Sequence, residues 1–269
     1  MAEEAVETEL GAGAEAPEIW SAPPPLGPTR LIAAGFRNVR AHISSLAILA
    51  LILAAATAAI RLSTRELGAP VSASSFDALK PAYFAYEGLV ALATSVVTGL
   101  MIRAMLQEGR GRFALDRGLV IYVVLAMVAS VISIALTGFV AASDPSEMAQ
   151  AFGVFAFFAV LIALIYVFTK LLLWPMGYLL GDGTITARRS WALMKHTTWA
   201  YIGALILGFL PLLPLYFIVM LPSGFDSDGA ALPLVLLEHA ITAAWVTLCA
   251  GIAAAVWRAR VLGEPLSPA

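Results

Sequence analysis

The stretch RGRFALDRGLVIYVVLAMVASVISIALTGFVAA, residues 110–142, decides the fold. It opens on Arg110, Arg112 and Arg117 and then runs apolar and uncharged from Leu119 to Ala142. A bilayer core about 30 Å thick is crossed by about 20 such residues in a helix. A barrel strand would alternate apolar and polar at every second position, which this run does not, so a spanning helix is the reading. The residues that follow, 143–150, hold Asp144 and Glu147 and no base. Bases before the run and none after it give the segment a direction, because basic loops stay on the cytoplasmic side.

The same unit repeats along the chain. Apolar runs at 43–60, 83–102, 119–142, 152–178, 199–221 and 240–257 predict six spans. Pro175, Pro211 and Pro214 can kink or stop a helix in the fourth and fifth. Of the 16 Lys and Arg residues, all but Arg61, Arg65 and Lys80 fall in segments that the six spans place on one side. That side is predicted to be the cytoplasm, with both chain ends in it. Composition agrees: the chain is 61% hydrophobic, 13% charged and has a mean hydropathy of +0.89. Soluble domains carry roughly a quarter charged residues.

The first 28 residues differ in kind. They are acidic, lack any base and contain Pro23, Pro24 and Pro25 in a row. Such a segment buries too little apolar surface to offset its ordering entropy, so 1–28 reads as a disordered cytoplasmic tail. Without a basic n-region it is not a signal peptide. Residues 29–263 then form the membrane domain, and 264–269 a short tail. Cys249 is the only cysteine and lies inside the last run, as an apolar filler. With three scattered histidines it makes no metal-ligand spacing, and neither a metal nor a cofactor is predicted.

Two basic segments precede spans one and five. At about 100° per residue, Ile32, Phe36, Val39 and Ile43 share one helical face, with Arg30, Arg37 and Arg40 opposite. In 184–198, Ala187, Trp191, Met194 and Thr198 share a face, while Arg188, Arg189, Lys195 and His196 occupy another, with Asp182 and Thr184 as N-cap candidates. Both read as amphipathic helices lying in the cytoplasmic headgroup plane. Arg37, Arg40, Arg188, Arg189, Trp191 and Lys195 are the candidate contacts to anionic headgroups, beside a plain role as topology determinants and interfacial anchors. One constant shift lays Phe36 on Trp191, Val39 on Met194, Arg40 on Lys195 and Arg103 on Arg258, a loose parallel repeat of spans one–two in spans five–six.

The segment 187–195, ARRSWALMK, followed by Trp199 and an apolar run, resembles a recurring feature of certain bacterial six-span proteins. These are the membrane domain fused to some glycerophosphoryl diester phosphodiesterases and its uncharacterised stand-alone relatives. The segments from Phe36 to Leu46 and from Arg258 to Gly263 are similar too, so the resemblance covers about 31–263. It departs at His196, where the family often has Gly after the basic residue. It implies a membrane module with a lipid-related role in a bacterial inner membrane. It carries no catalytic residue over, because these residues include no phosphodiesterase domain.

Ionisable residues inside spans are functional candidates. Glu87 lies near the outer end of span two and Lys170 in the cytoplasmic half of span four, where it can snorkel. Glu238 and His239 precede the sixth run and are placed at the outer interface; a span starting near Leu232 would embed both. Small residues are expected at helix contacts, among them Ala126, Ser130, Ser133 and Thr137, and Ala243, Ala250 and Ala254. No phosphate-binding glycine loop, nucleophile elbow or zinc-protease helix occurs. The bilayer accounts for the basic loops, so nucleic acid is not an expected partner.

The expected fold class is therefore all-α: a polytopic membrane protein of six transmembrane helices with two amphipathic interfacial helices on the cytoplasmic side. The expected function is non-enzymatic, engaging membrane phospholipid or supporting an envelope process. A small-solute permease or channel is the alternative. A homo-oligomer or a membrane-protein partner is open.

Overall fold

A computed structural model describes residues 26–66, 81–107, 109–141, 147–220 and 232–266. The predicted acidic tail lies outside them, as do Lys80 and the acidic loop between the fifth and sixth runs. The described residues are all-helical: α1 (Pro28–Ala41), α2 (Ile43–Glu66), α3 (Pro81–Leu106), α4 (Arg117–Ala141), α5 (Glu147–Leu171), α6 (Leu173–Leu180), α7 (Ala187–Leu193), α8 (Thr198–Phe209), α9 (Leu213–Met220) and α10 (Leu232–Arg260). Among the described residues five segments are long and apolar enough to cross a membrane, within α2, α3, α4, α5–α6 and α10.

Local chemistry sets the breaks. Pro175 cannot donate to the Leu171 carbonyl, and the chain leaves the α-helix at Leu172, whose N–H bonds Thr169 O instead. The fifth apolar run breaks in the same way. Pro211 and Pro214 have no N–H to give, so Leu212 and Leu213 make shorter-range bonds to Phe209 O and Leu210 O. Two short helices result, α8 and α9, where the sequence predicts one span. The α6 end is a left-handed turn at Gly181 (φ 78°), closed by Asp182 N–H to Gly177 O at 2.8 Å.

Helix α10 is the centre of the bundle. Over an 18-residue apolar window of it 72% of the residues are buried, against 17% in the window of α4. It packs against α1, α2, α3, α8 and α9. The expected small residues Ala243, Ala250 and Ala254 are all buried in it, whereas Ser133 of α4 is exposed and the Thr137 side chain lies outside the described residues. The outward faces of the long helices show Leu51, Leu89, Val128, Ile162 and Leu237. An apolar girdle of that kind suits lipid and would be an aggregation liability in water.

Helix α1 packs on the bundle by a face other than its more apolar stripe. Its packed face is Leu31, Ala34, Gly35 and Asn38, while Phe36 and Ile43 are exposed. It seats on α10 by a backbone approach: a Cβ on Gly35 would stand 2.7 Å from Ile252 Cγ1, and one on Gly251 would stand 2.7 Å from Gly35 O. Asn38 Nδ2 donates to Gly251 O at 3.0 Å and gives the crossing its one buried polar bond among the described residues. Helix α7 seats instead on α5 and α6, so the two basic segments do not occupy equivalent places.

Candidate functional site

Polar side chains gather at the two ends of the bundle. The first end holds the carboxy-terminal ends of α3, α6 and α10 and all of α7. Arg103, in the last turn of α3, is 2% exposed and bonds three carbonyl or carboxylate oxygens: Leu179 O at 2.8 Å, Ala114 O at 2.8 Å and Asp116 Oδ1 at 2.6 Å. A guanidinium has the donor fork for this and an ammonium does not. The bond from Arg103, helped by the Leu119 N–H, holds the Asp116 carboxyl below its usual range. Arg258 donates to Met105 O and Arg260 to Thr197 Oγ1, tying α10 to α3 and α8.

Beside this clasp lies a rim. Thr186 caps α7 by accepting the Arg189 N–H; Asp182 and Thr184, the expected caps, instead bond each other in the preceding turn. A single turn closed by 182–184 consumes both groups and moves the helix start downstream. Ser190 Oγ, fully buried, donates to Lys170 O at 2.8 Å and locks α7 onto α5. Lys170 is 3% exposed, with its Nζ 5.4 Å from the Tyr166 ring centroid and 5.7 Å from that of Trp191. Tyr166 also meets Trp199, at 5.9 Å between centroids. A cation over two aromatic faces is stabilised by their quadrupoles and need not snorkel. Outside this cluster Arg188, Arg189, Lys195 and His196 are exposed, together with Trp191 and Trp199. Arg189 bonds Thr184 Oγ1, while Arg188 and Lys195 have no protein partner among the described residues.

Arg37 and Arg40 lie on exposed positions of α1, away from α7. Arg37 lines a recess of about 290 Å³ with Asn38, Arg258, Glu264 and Leu266. The six predicted headgroup contacts thus fall into two groups, on α1 and on α7.

The opposite end carries a polar layer. Helix α10 starts at Leu232, not at 240, so Glu238 and His239 lie within its first turns and not ahead of it. An apolar window rejects them, but a helix keeps such residues when another helix supplies a partner. Here Arg61 of α2 supplies it through an ion pair with Glu238, and Arg61 is 3% exposed. His239 is buried and Glu238 partly so. Tyr86 and Tyr216 lie within electrostatic reach of the Arg61–Glu238 pair. Glu87 is hydrogen-bonded with Tyr83 and opens onto a groove of about 360 Å³ lined by Thr94, Ser95, Ser130 and Ser133. Glu87, Glu238 and His239 are therefore at one end and Lys170 at the other. No cluster of His, Cys, Asp and Glu fit to hold a metal occurs among the described residues.

Sequence reasoning missed Arg61 and Arg103 as structural centres. Arg61 reads as a loop base until one notes that Thr57 and Thr64 continue the helical pattern around it. Arg103 reads as a boundary charge, and its acceptors are backbone carbonyls with no side-chain signature. Compared with protein-family models, curated proteins and solved structures, the chain has no match.

Proposed function

We propose that the chain is a bacterial inner-membrane protein that crosses the bilayer six times, keeps both ends in the cytoplasm and engages anionic phospholipid through the α7 rim. The observation that carries this reading is the gathering within residues 188–199, from α7 to the start of α8, of two bases without a partner among the described residues, Arg188 and Lys195, and two exposed indoles, Trp191 and Trp199. Guanidinium and ammonium groups take phosphate oxygens, and indoles favour the headgroup level. On this reading α1 and α7 are the interfacial helices. The resemblance of residues 187–195, read from the sequence alone, to a feature of the membrane domain of glycerophosphoryl diester phosphodiesterases is in keeping with a lipid-related role.

The sixth crossing is supplied by α8 and α9 together. Thr197, at the start of α8, meets Arg260 at one end of α10, and Tyr216 of α9 lies near Glu238 at the other. The broken pair therefore runs the length of a helix that is itself long enough to span.

Each base near an anionic surface contributes about 1 kcal/mol. Replacing Arg188, Arg189 and Lys195 together by Gln should then weaken retention of phosphatidylglycerol by roughly a hundredfold. Native mass spectrometry of protein released from nanodiscs reads this directly. Unchanged retention in a correctly inserted variant would sink the proposal. A small-solute permease is the second reading, favoured by the Arg61–Glu238 pair inside the bundle. Solute flux in proteoliposomes that is lost in Glu238→Gln supports it, and no flux across a broad panel counts against it.

A further inference from the structure

Four helices bring ionisable or phenolic side chains to one depth at the end of the bundle opposite α7. Arg61 in α2, Glu87 in α3 and Glu238 with His239 in α10 each lie about one and a half turns, ~9 Å, from the nearest helix end. Tyr216 of α9 joins them. The Arg61–Glu238 pair cancels its own charge. It leaves one arm of Arg61 over: Arg61 Nη2 is buried, as is the nearby His239 Nε2, and neither has a hydrogen-bond partner among the described residues. Arg61 is 3% and His239 5% exposed. Leaving a buried polar group unmet costs about 1–3 kcal/mol, and more when it is charged. Such groups are rare and call for an explanation.

The Arg61 nitrogen needs an acceptor oxygen, and so does His239 Nε2 once the imidazole is protonated. Glu238 is spent on the other arm of Arg61, and Glu87 is bonded with Tyr83 beside a separate hydroxyl-lined groove. We propose that this layer binds a small monoanionic oxyanion, a carboxylate or monobasic phosphate, through the second arm of the Arg61 guanidinium and through His239. Arg61 is already neutralised, so the ligand brings one uncompensated negative charge into a poorly solvated place. A proton on His239 restores neutrality and turns Nε2 into a donor. The charged groups beside that imidazole are Arg61 from α2 and its own neighbour Glu238; Tyr86 of α3 and Tyr216 of α9 lie near that pair, and Glu87 near Tyr86. Arg61 is the one cation among them and is paired, so the proton goes to His239 and binding strengthens as the pH falls. The inference concerns binding alone. It stands whether or not the ligand crosses the membrane, and it does not rest on the lipid reading.

The test is a titration of the full chain in nanodiscs with acetate and with inorganic phosphate, against sodium chloride at equal ionic strength. The thermal midpoint is read at about pH 6 and about pH 8, on either side of the ordinary histidine value. A ligand of the folded state raises the midpoint with concentration. The expected result is a rise with at least one probe, larger at the lower pH. The rise needs at least tenfold more anion in Arg61→Lys, which keeps the pair with Glu238 but has no second arm, and in His239→Phe, which leaves the pair untouched. The rim variant with Gln at 188, 189 and 195 should keep the full rise. No rise in the parent chain, or an equal rise in both layer variants, would overturn the proposal and leave ordered water only as the partner of the two nitrogens.

Discussion

Replacing Arg103 by Met removes the three bonds that join α3, the 114–116 segment and the α6 end, while keeping most of the side chain's apolar volume. Bonds to Leu179 O and Ala114 O, each 2.8 Å from a charged donor, contribute about 1.5 kcal/mol apiece by the usual scale for charged groups. The Asp116 carboxylate is half exposed, so its share is discounted to about 0.5 kcal/mol. The sum is about 3.5 kcal/mol, a few hundredfold in the folded ratio. Asp116→Asn should cost no more than about 1 kcal/mol, because water replaces the lost partner. Arg103→Lys should fall between, since one ammonium cannot reach three acceptors on separate segments. Unfolding in mixed micelles by added SDS, followed by tryptophan fluorescence, gives the three values. The pH dependence has a fixed sign. The folded Asp116 carboxyl titrates below its ordinary value, so its contribution is present above about pH 4 and is lost as pH falls through the folded value. That increment should vanish in Asp116→Asn. The reasoning is refuted if Asp116→Asn costs as much as Arg103→Met, or if Arg103→Met costs less than about 1 kcal/mol.

Three further outcomes follow from the packing. Gly251→Leu should unseat α1, since even a Cβ there meets the Gly35 carbonyl; hydrogen exchange across 28–41 should then rise at least tenfold. Pro211→Ala should restore a backbone donor and extend α8, read as new amide protection at 211–213 with little change elsewhere. Ser190→Ala removes the buried bond to Lys170 O and should cost about 1 kcal/mol, with faster proteolysis at 182–196 as the first sign.

The crossing segments were legible because a lipid-facing helix shows its solvent in its composition. Every one of the five long apolar helices overlaps a run visible in the sequence. The break in the fifth run was legible in Pro211 and Pro214. The start of α10 was not, since Glu238 and His239 look like interface residues until Arg61, far away in the chain, is placed beside them. The inner side of α1 was not legible for a related reason. Its apolar stripe through Ile32 and Phe36 is the more hydrophobic one, but the face of Leu31, Ala34, Gly35 and Asn38 carries the small residue that a close crossing needs. On α7 the exposed bases could be read from the sequence, and the burial of Lys170 between Tyr166 and Trp191 could not, because the rings come from different helices. Pairwise partners across the bundle leave no periodic trace.

The lipid reading needs the α7 rim and both chain ends on the cytoplasmic side, and that depends on α8 and α9 completing a crossing. Single-cysteine labelling with a membrane-impermeant maleimide tests this, in a Cys249→Ala background carrying Thr8→Cys, Ser143→Cys, Ser227→Cys or Ser267→Cys. In intact spheroplasts positions 143 and 227 should label at once, and positions 8 and 267 only after lysis. Labelling of position 267 but not 8 from outside, or of neither 143 nor 227, would mean an odd or inverted set of crossings and would contradict the account.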